Sequence, residues 1–144
     1  MYSINCRGRL VSLEEPLVMG ILNATPDSFY EGHLDTGVAG MLNLATTMLE
    51  EGAAILDIGG LSTRPGSKPV PAEEEQARVL PLISAILDKH PQAIISIDTY
   101  RSSVAEAAIK AGAHIVNDIS GGDLDTRMLE TVARLRVPYI CMHM

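Results

Sequence analysis

Five short apolar runs recur along the chain: LVMGILN (17–23), AAILDIGG (53–60), AIISIDT (93–99), AHIVNDISGG (113–122) and PYICMHM (138–144). The first four break off at Asn or Asp. Runs this short suit strands, and four of them are rich in Ile and Val. They read as apolar on both faces, as strands of a parallel sheet do.

The segments between them carry helical periodicity. Val38, Leu42, Ala45 and Leu49 share one face, and Gly52 follows as a stop. Ala77, Leu80, Ile83 and Leu87 share the next, behind an acidic opening, Glu73 to Glu75, that suits a helix N-terminus. Pro81 interrupts that segment and predicts a kink. Ser103 and Glu106 have capping-box spacing for SVAEAAIKAG, ended by Gly112. Met128, Val132 and Leu135 mark a last helix. Ahead of all this, two alternating pieces flank Arg7-Gly8-Arg9 and predict a hairpin.

The order is therefore a hairpin, then strand and helix four times, then one more strand. Alternation of this kind implies right-handed crossovers and a parallel sheet. Two architectures satisfy it: an open doubly wound sheet, or a (β/α)₈ barrel of which this is about four and a half units. Periodicity leaves both open. The 144 residues, 47% apolar, are read as one domain with a real core. No apolar run approaches the ~20 residues of a membrane span, and the first ten residues lack a signal-peptide core. A formal charge of −7 speaks against a general nucleic-acid surface. Cys6 and Cys141 are far apart and form no C-x-x-C pair, which fits reduced thiols and a cytoplasmic location.

The polar residues gather where the strands end: Asn23, then Asp57 ahead of GGLSTRPG, then Asp98 with Thr99, then Asn117 with Asp118. In both architectures that edge binds ligands. Asp and Asn also start helices, so any single position can be local capping. Four strand ends together point to a site. Asp98 can accept two N–H groups from an amino-pyrimidine edge, and Asn117 offers donor and acceptor. Asn23 offers a hard amide oxygen of the kind Mg²⁺ takes beside waters and phosphate. STRPG offers hydroxyls, a guanidinium and backbone for anions. No P-loop is present, nor a G-x-G-x-x-G after a strand, and the histidines do not cluster with cysteines as zinc ligands do.

MGILNATPDSF, DIGGLSTRPGS, SIDTYR and NDISGG, in this order and spacing, closely resemble the dihydropteroate synthase family. NCRGRL and YICMHM extend the likeness to both ends. The resemblance implies a TIM-type (β/α)₈ barrel with an N-terminal hairpin, residues 1–144 forming the first part of that single pterin-binding domain. It implies a transferase of folate biosynthesis that joins 6-hydroxymethyl-7,8-dihydropterin diphosphate to p-aminobenzoate and releases diphosphate. It implies small-molecule partners, no membrane or nucleic acid, and a homodimer for the complete enzyme. Carried over by position, Asn23 binds Mg²⁺ with the diphosphate. Thr63 contacts substrate, and Arg64 lies near the p-aminobenzoate side. Asp98 and Asn117 hold the pterin ring, and Phe29 anchors a loop that closes over it. Residues 24–33 and 61–70 match two such closing loops. Asp98, Thr63 and Arg64 are the residues expected to bear on catalysis.

The chain departs from the family pattern in DSFYEGHLD, where small residues are usual after Phe29, and at Leu61, where Glu is frequent. Barrels of this type run to roughly 250 residues. The second half would bring an Asp, a Lys and an Arg-x-His pair to the site, so the 144-residue chain alone is expected to be inactive. Two other readings share the motifs in part. One is a pterin-binding methyltransferase domain, against which STRPG and TPDSF argue. The other is a non-catalytic half barrel.

Overall fold

A computed structural model describes residues 2–25, 37–61 and 70–143. Strands β1 (Ser3–Cys6) and β2 (Arg9–Ser12) form an antiparallel hairpin. Then come β3 (Met19–Asn23), α1 (Val38–Glu50), β4 (Ile55–Gly59), α2 (Ala72–Lys89), β5 (Ile95–Asp98), α3 (Ser102–Lys110), β6 (Ile115–Asp118), α4 (Met128–Leu135) and β7 (Tyr139–Cys141). The hairpin turns at Arg7 and Gly8, both with positive φ (56° and 89°), a turn whose twist matches that of paired strands.

Strand order chooses between the two architectures. The five-stranded sheet runs β3-β4-β5-β6-β7, every pair parallel. An open doubly wound sheet reverses its order at a switch point. This one never does, so each crossover advances one strand in the same sense, as in a barrel wall. The two faces are correspondingly unlike. Leu22, Leu56, Ile58, Ile95, Ile97 and Val116 point outward into one core with the helices, among them Ala45, Val79, Ile83 and Ala108. The other face turns inward.

That inner face corrects the expectation of strands apolar on both sides. Its N-terminal end is apolar: Ile55, Ile94 and Ile115 pack with Cys6, Ile4 and Val11 of the hairpin, which plugs the bottom of the wall. Two arginines of the turn region lock the plug, Arg7 donating to the Ile109 carbonyl and Arg9 to the Gln92 carbonyl, each at 2.8 Å. Higher up, the inner face carries Asp57, Ser96, Asp98 and Asn117, with Ile21 and Ile140 on the two outer strands.

Two helix details also differ from expectation. The buried face of α2 is Glu75, Val79, Leu82, Ile83 and Ile86, while Ala77 is exposed. The helix is turned because Glu75 is not a solvated N-terminal acid. It lies fully buried and pairs with Arg101 at 2.7 Å. Pro81 lies inside α2, as its place in the sequence segment has it. The capping box of α3 does not form. Arg101 occupies the cap position with no side-chain bond, and the Ser102 N–H donates instead to Asp125 Oδ2 at 2.8 Å. Glu106 reaches Lys110 (2.8 Å) and Arg134 (3.1 Å), two cations that outcompete the backbone N–H. No described helix is long and apolar enough to cross a membrane.

Candidate active site

Parallel register sets the site. Asn23, Gly59, Asp98, Asn117 and Ile140 are partners across consecutive strands and so form one inward-facing row at the C-terminal end of the sheet. One layer deeper on the same face lie Ile21, Asp57, Ser96 and Ile115. Three of the residues expected in the site, Asn23, Asp98 and Asn117, are therefore brought together by strand pairing alone.

Gly59 keeps them close. A Cβ at this position would lie 3.3 Å from Asp98 Oδ2 and 3.7 Å from Asn23 Oδ1. A side chain there would fill the space between the carboxylate and the amide. The next residue is held from behind, where a Cβ on Gly60 would lie 3.0 Å from the Glu75 carbonyl oxygen. The pair Gly59-Gly60 thus lets β4 pass tightly between the site and α2.

The electrostatics are those of a site built for donors. Asn117 Nδ2 donates to Asp57 Oδ2 at 3.0 Å, both residues buried. Asp57 Oδ1, Ser96 Oγ and Asn117 Oδ1 are buried without a hydrogen-bond partner among the described residues. Such atoms cost on the order of 1–3 kcal/mol each if nothing meets them. Burial pushes the Asp98 carboxyl up, and the negative charges of Asp57, Glu75 and Asp118 push it further, to about 6. A carboxylate so crowded is ready to take N–H donors or positive charge.

Two strand-end residues turn out to be structural. Asp118 points to the helix side, opposite Asn117. Its Oδ1 accepts from the Ser120 N–H and hydroxyl at 2.8 Å, and its Oδ2 accepts from the Gly122 N–H (2.9 Å) and the Tyr139 hydroxyl (2.8 Å). Its acceptor capacity goes to the β6–α4 turn and to Tyr139 of β7. Thr99 Oγ1 accepts from the Arg101 N–H at 3.1 Å, an ordinary turn bond.

Asp57 is the residue that reading strand ends undervalued. It sits in mid-strand, and only the alternation of β4 shows that its side chain shares a face with Asp98.

Phe29, Thr63 and Arg64 lie outside the described residues. The residues that flank them are firmly tied. Ala24 N–H donates to the Gly59 carbonyl at 2.7 Å. Arg78 donates to the Gly60 carbonyl (2.8 Å), and Arg101 to the Val70 carbonyl (2.7 Å). No group of three or more His, Cys, Asp or Glu side chains able to hold a metal occurs among the described residues. Asn23, exposed at the end of its strand, is thus a single oxygen donor of the type a cation accepts when waters and substrate oxygens supply the rest.

Comparison with known proteins agrees with this geometry. A family profile described as pterin binding enzyme matches residues 19–144. The folic acid synthesis protein fol1 of Pneumocystis carinii is 52% identical over 127 residues, which cover 88% of this chain and 17% of that protein. Dihydropteroate synthase of Bacillus subtilis is 48% identical over 130 residues, covering 90% of this chain and 45% of the enzyme. Dihydropteroate synthase of Xanthomonas albilineans, solved with 4-aminobenzoic acid, superposes with a TM-score of 0.91 at 44% identity, over 99% of this chain and 52% of that one. The same enzyme in complex with 7,8-dihydropteroate gives 0.87 at 40% identity, over 99% of this chain and 51% of that one. The chain thus spans about half the length of the dihydropteroate synthases it matches and a smaller share of the fol1 protein. The inward polar row, the one-directional barrel wall and these matches lead to one assignment: the chain belongs to the pterin binding enzyme family and is homologous to the dihydropteroate synthases.

Proposed function

We propose that this chain supplies the first half of a dihydropteroate synthase site. The reaction joins 6-hydroxymethyl-7,8-dihydropterin diphosphate to p-aminobenzoate. The observation that carries this reading is the single inward row of Asn23, Asp98 and Asn117 around the gap at Gly59. A flat ring bearing N–H donors fits a carboxylate and an amide oxygen on adjacent strands, the oxygen without a partner among the described residues.

The chemistry asks for positioning and charge. The C–O bond between the exocyclic methylene and diphosphate breaks, its electron pair leaving with diphosphate. The aminobenzoate nitrogen forms the new C–N bond and gives up a proton. Asp98 holds the ring edge and balances the positive charge that develops on ring and methylene. Asn117 fixes the ring's rotation within its plane. Asn23 Oδ1 is the atom that would hold Mg²⁺, with waters and diphosphate oxygens. Bound there, the cation would supply charge neutralisation of the leaving group. Thr63, Arg64 and Phe29 take their proposed roles, substrate contact, the p-aminobenzoate side and loop closure, from the family resemblance.

Asn23→Ala in the full-length protein is expected to weaken Mg²⁺-dependent binding of the pterin diphosphate at least ten-fold by calorimetry. Pterin without the diphosphate should bind as before. Equal losses for both ligands would sink the assignment of Asn23.

The pH dependence follows from Asp98. Ring donors favour the ionised carboxylate, which forms as pH rises through about 6 in the empty site. Pterin affinity should therefore rise with pH, and be roughly ten-fold weaker at pH 5 than at pH 7.5. A flat profile over this window would mean that Asp98 does not meet the ring.

A further inference from the structure

We infer that Asp57 is a positioning residue: it dictates which way the Asn117 amide faces, so that Asn117 presents an acceptor and not a donor to the bound ring. The inference rests on the pterin-site reading above and extends it to a residue that does not itself touch the ring.

The geometry is specific. Asp57 lies one layer below the Asp98–Asn117 row on the same inward face of the sheet. Its Oδ2 accepts from Asn117 Nδ2 at 3.0 Å across two strands, and both side chains are buried. An amide can be turned end for end at almost no steric cost, exchanging oxygen for NH₂. A carboxylate accepts and cannot donate. Beside Asp57 only the NH₂ end of Asn117 can point down, so the oxygen must point into the site. That oxygen is the Asn117 atom buried without a partner among the described residues. It faces the same interior as Asp98, so two acceptors on adjacent strands read two donors on one ligand edge.

A structural role explains the arrangement poorly. Asp57 leaves its own Oδ1 buried without a partner among the described residues, and a mid-strand carboxylate so placed costs stability. An apolar or neutral residue would suit the wall better. The cost is intelligible if the carboxylate orients Asn117.

The test is a double-mutant cycle in the full-length protein, read by titration with 6-hydroxymethylpterin. Asp57→Asn keeps the shape, but an amide at 57 can either accept or donate, and the orientation of Asn117 is no longer dictated. Pterin affinity should fall at least ten-fold while the melting temperature holds or rises, a divergence a purely structural residue would not produce. In the Asn117→Ala background the same Asp57→Asn change should cost less than three-fold, because the side chain it orients is gone. Unchanged affinity in the single variant overturns the inference, and so does a full ten-fold loss in the Asn117→Ala background. A measurement on the unmutated protein guards against variants that fail to fold. By NMR, one Asn117 side-chain amide proton should exchange with solvent at least ten-fold more slowly than in a free amide, and free exchange of both overturns the inference. Failure of the unmutated protein to bind the pterin at all would be a distinct result, and would remove the functional reading and this inference together.

Discussion

Asp98→Asn is expected to reduce pterin affinity by roughly 2–4 kcal/mol, about 30- to 700-fold, without loss of thermal stability. The substitution keeps the side chain's outline and removes the charge proposed to meet the ring's N–H edge. The stability half of the prediction comes from the fold. Asp98 caps no helix, since α3 begins at Ser102 under Arg101 and takes its side-chain bond from Asp125. Its carboxyl stands at about 6, raised by burial and by Asp57, Glu75 and Asp118. The unfolded chain ionises near the ordinary value, so the folded state holds the proton more tightly. The contribution of Asp98 to stability therefore falls as pH rises from about 4 to about 6 and stays low above. At pH 8 the neutral amide relieves that cost, and the melting temperature should hold or rise. Calorimetry showing unchanged pterin affinity would refute the role of Asp98. A lower melting temperature together with unchanged affinity would make it a structural residue.

Arg101→Ala is expected to destabilise the protein by roughly 3–5 kcal/mol at pH 8, the scale for stranding one member of a buried ion pair. Arg101 holds fully buried Glu75 at 2.7 Å and donates to the Val70 carbonyl at the same distance. Burial already pushes the Glu75 carboxyl up, while Thr99, Arg101 and Arg78 hold it down. Without Arg101 it rises further, so the folded variant takes up a proton that the unfolded chain lacks. The deficit should therefore shrink as pH falls toward 5 and grow as pH rises. Denaturant melts of variant and parent at pH 5 and pH 8 check this. Equal deficits at both values would mean that Glu75 is not the stranded charge. Because Arg101 also ties down Val70, at the end of the Pro/Gly-rich stretch, the variant should lose substrate affinity as well.

The hairpin, the four strand-helix units and the final strand were legible in the sequence, because they rest on local chemistry. Alternation flanks Arg7-Gly8, helical periods stop at Gly52 and Gly112, and both glycines adopt positive φ where the helices end. Asn23, Asp98 and Asn117 were legible as a group because strands of similar length end at one edge. The turned face of α2 was not. The acidic run 73–75 reads as a solvated helix start, and no local signal says that Glu75 meets an arginine 26 residues further on. The capping box of α3 failed for the same reason, since Glu106 is claimed by Arg134 of another helix.

By itself the sequence determined the element order, the edge on which polar groups collect and, through its motifs, the family. These follow from periodicity and residue chemistry within each segment. The tertiary structure decided three further things. Strand order without reversal made the sheet a barrel wall rather than an open sheet. Register separated inward Asn117 from outward Asp118, one an amide on the inner face and the other a turn clasp. Pairing across two strands set Asp57 beneath Asn117. Each depends on which residues of distant segments become neighbours, and a strand's own sequence does not contain that information.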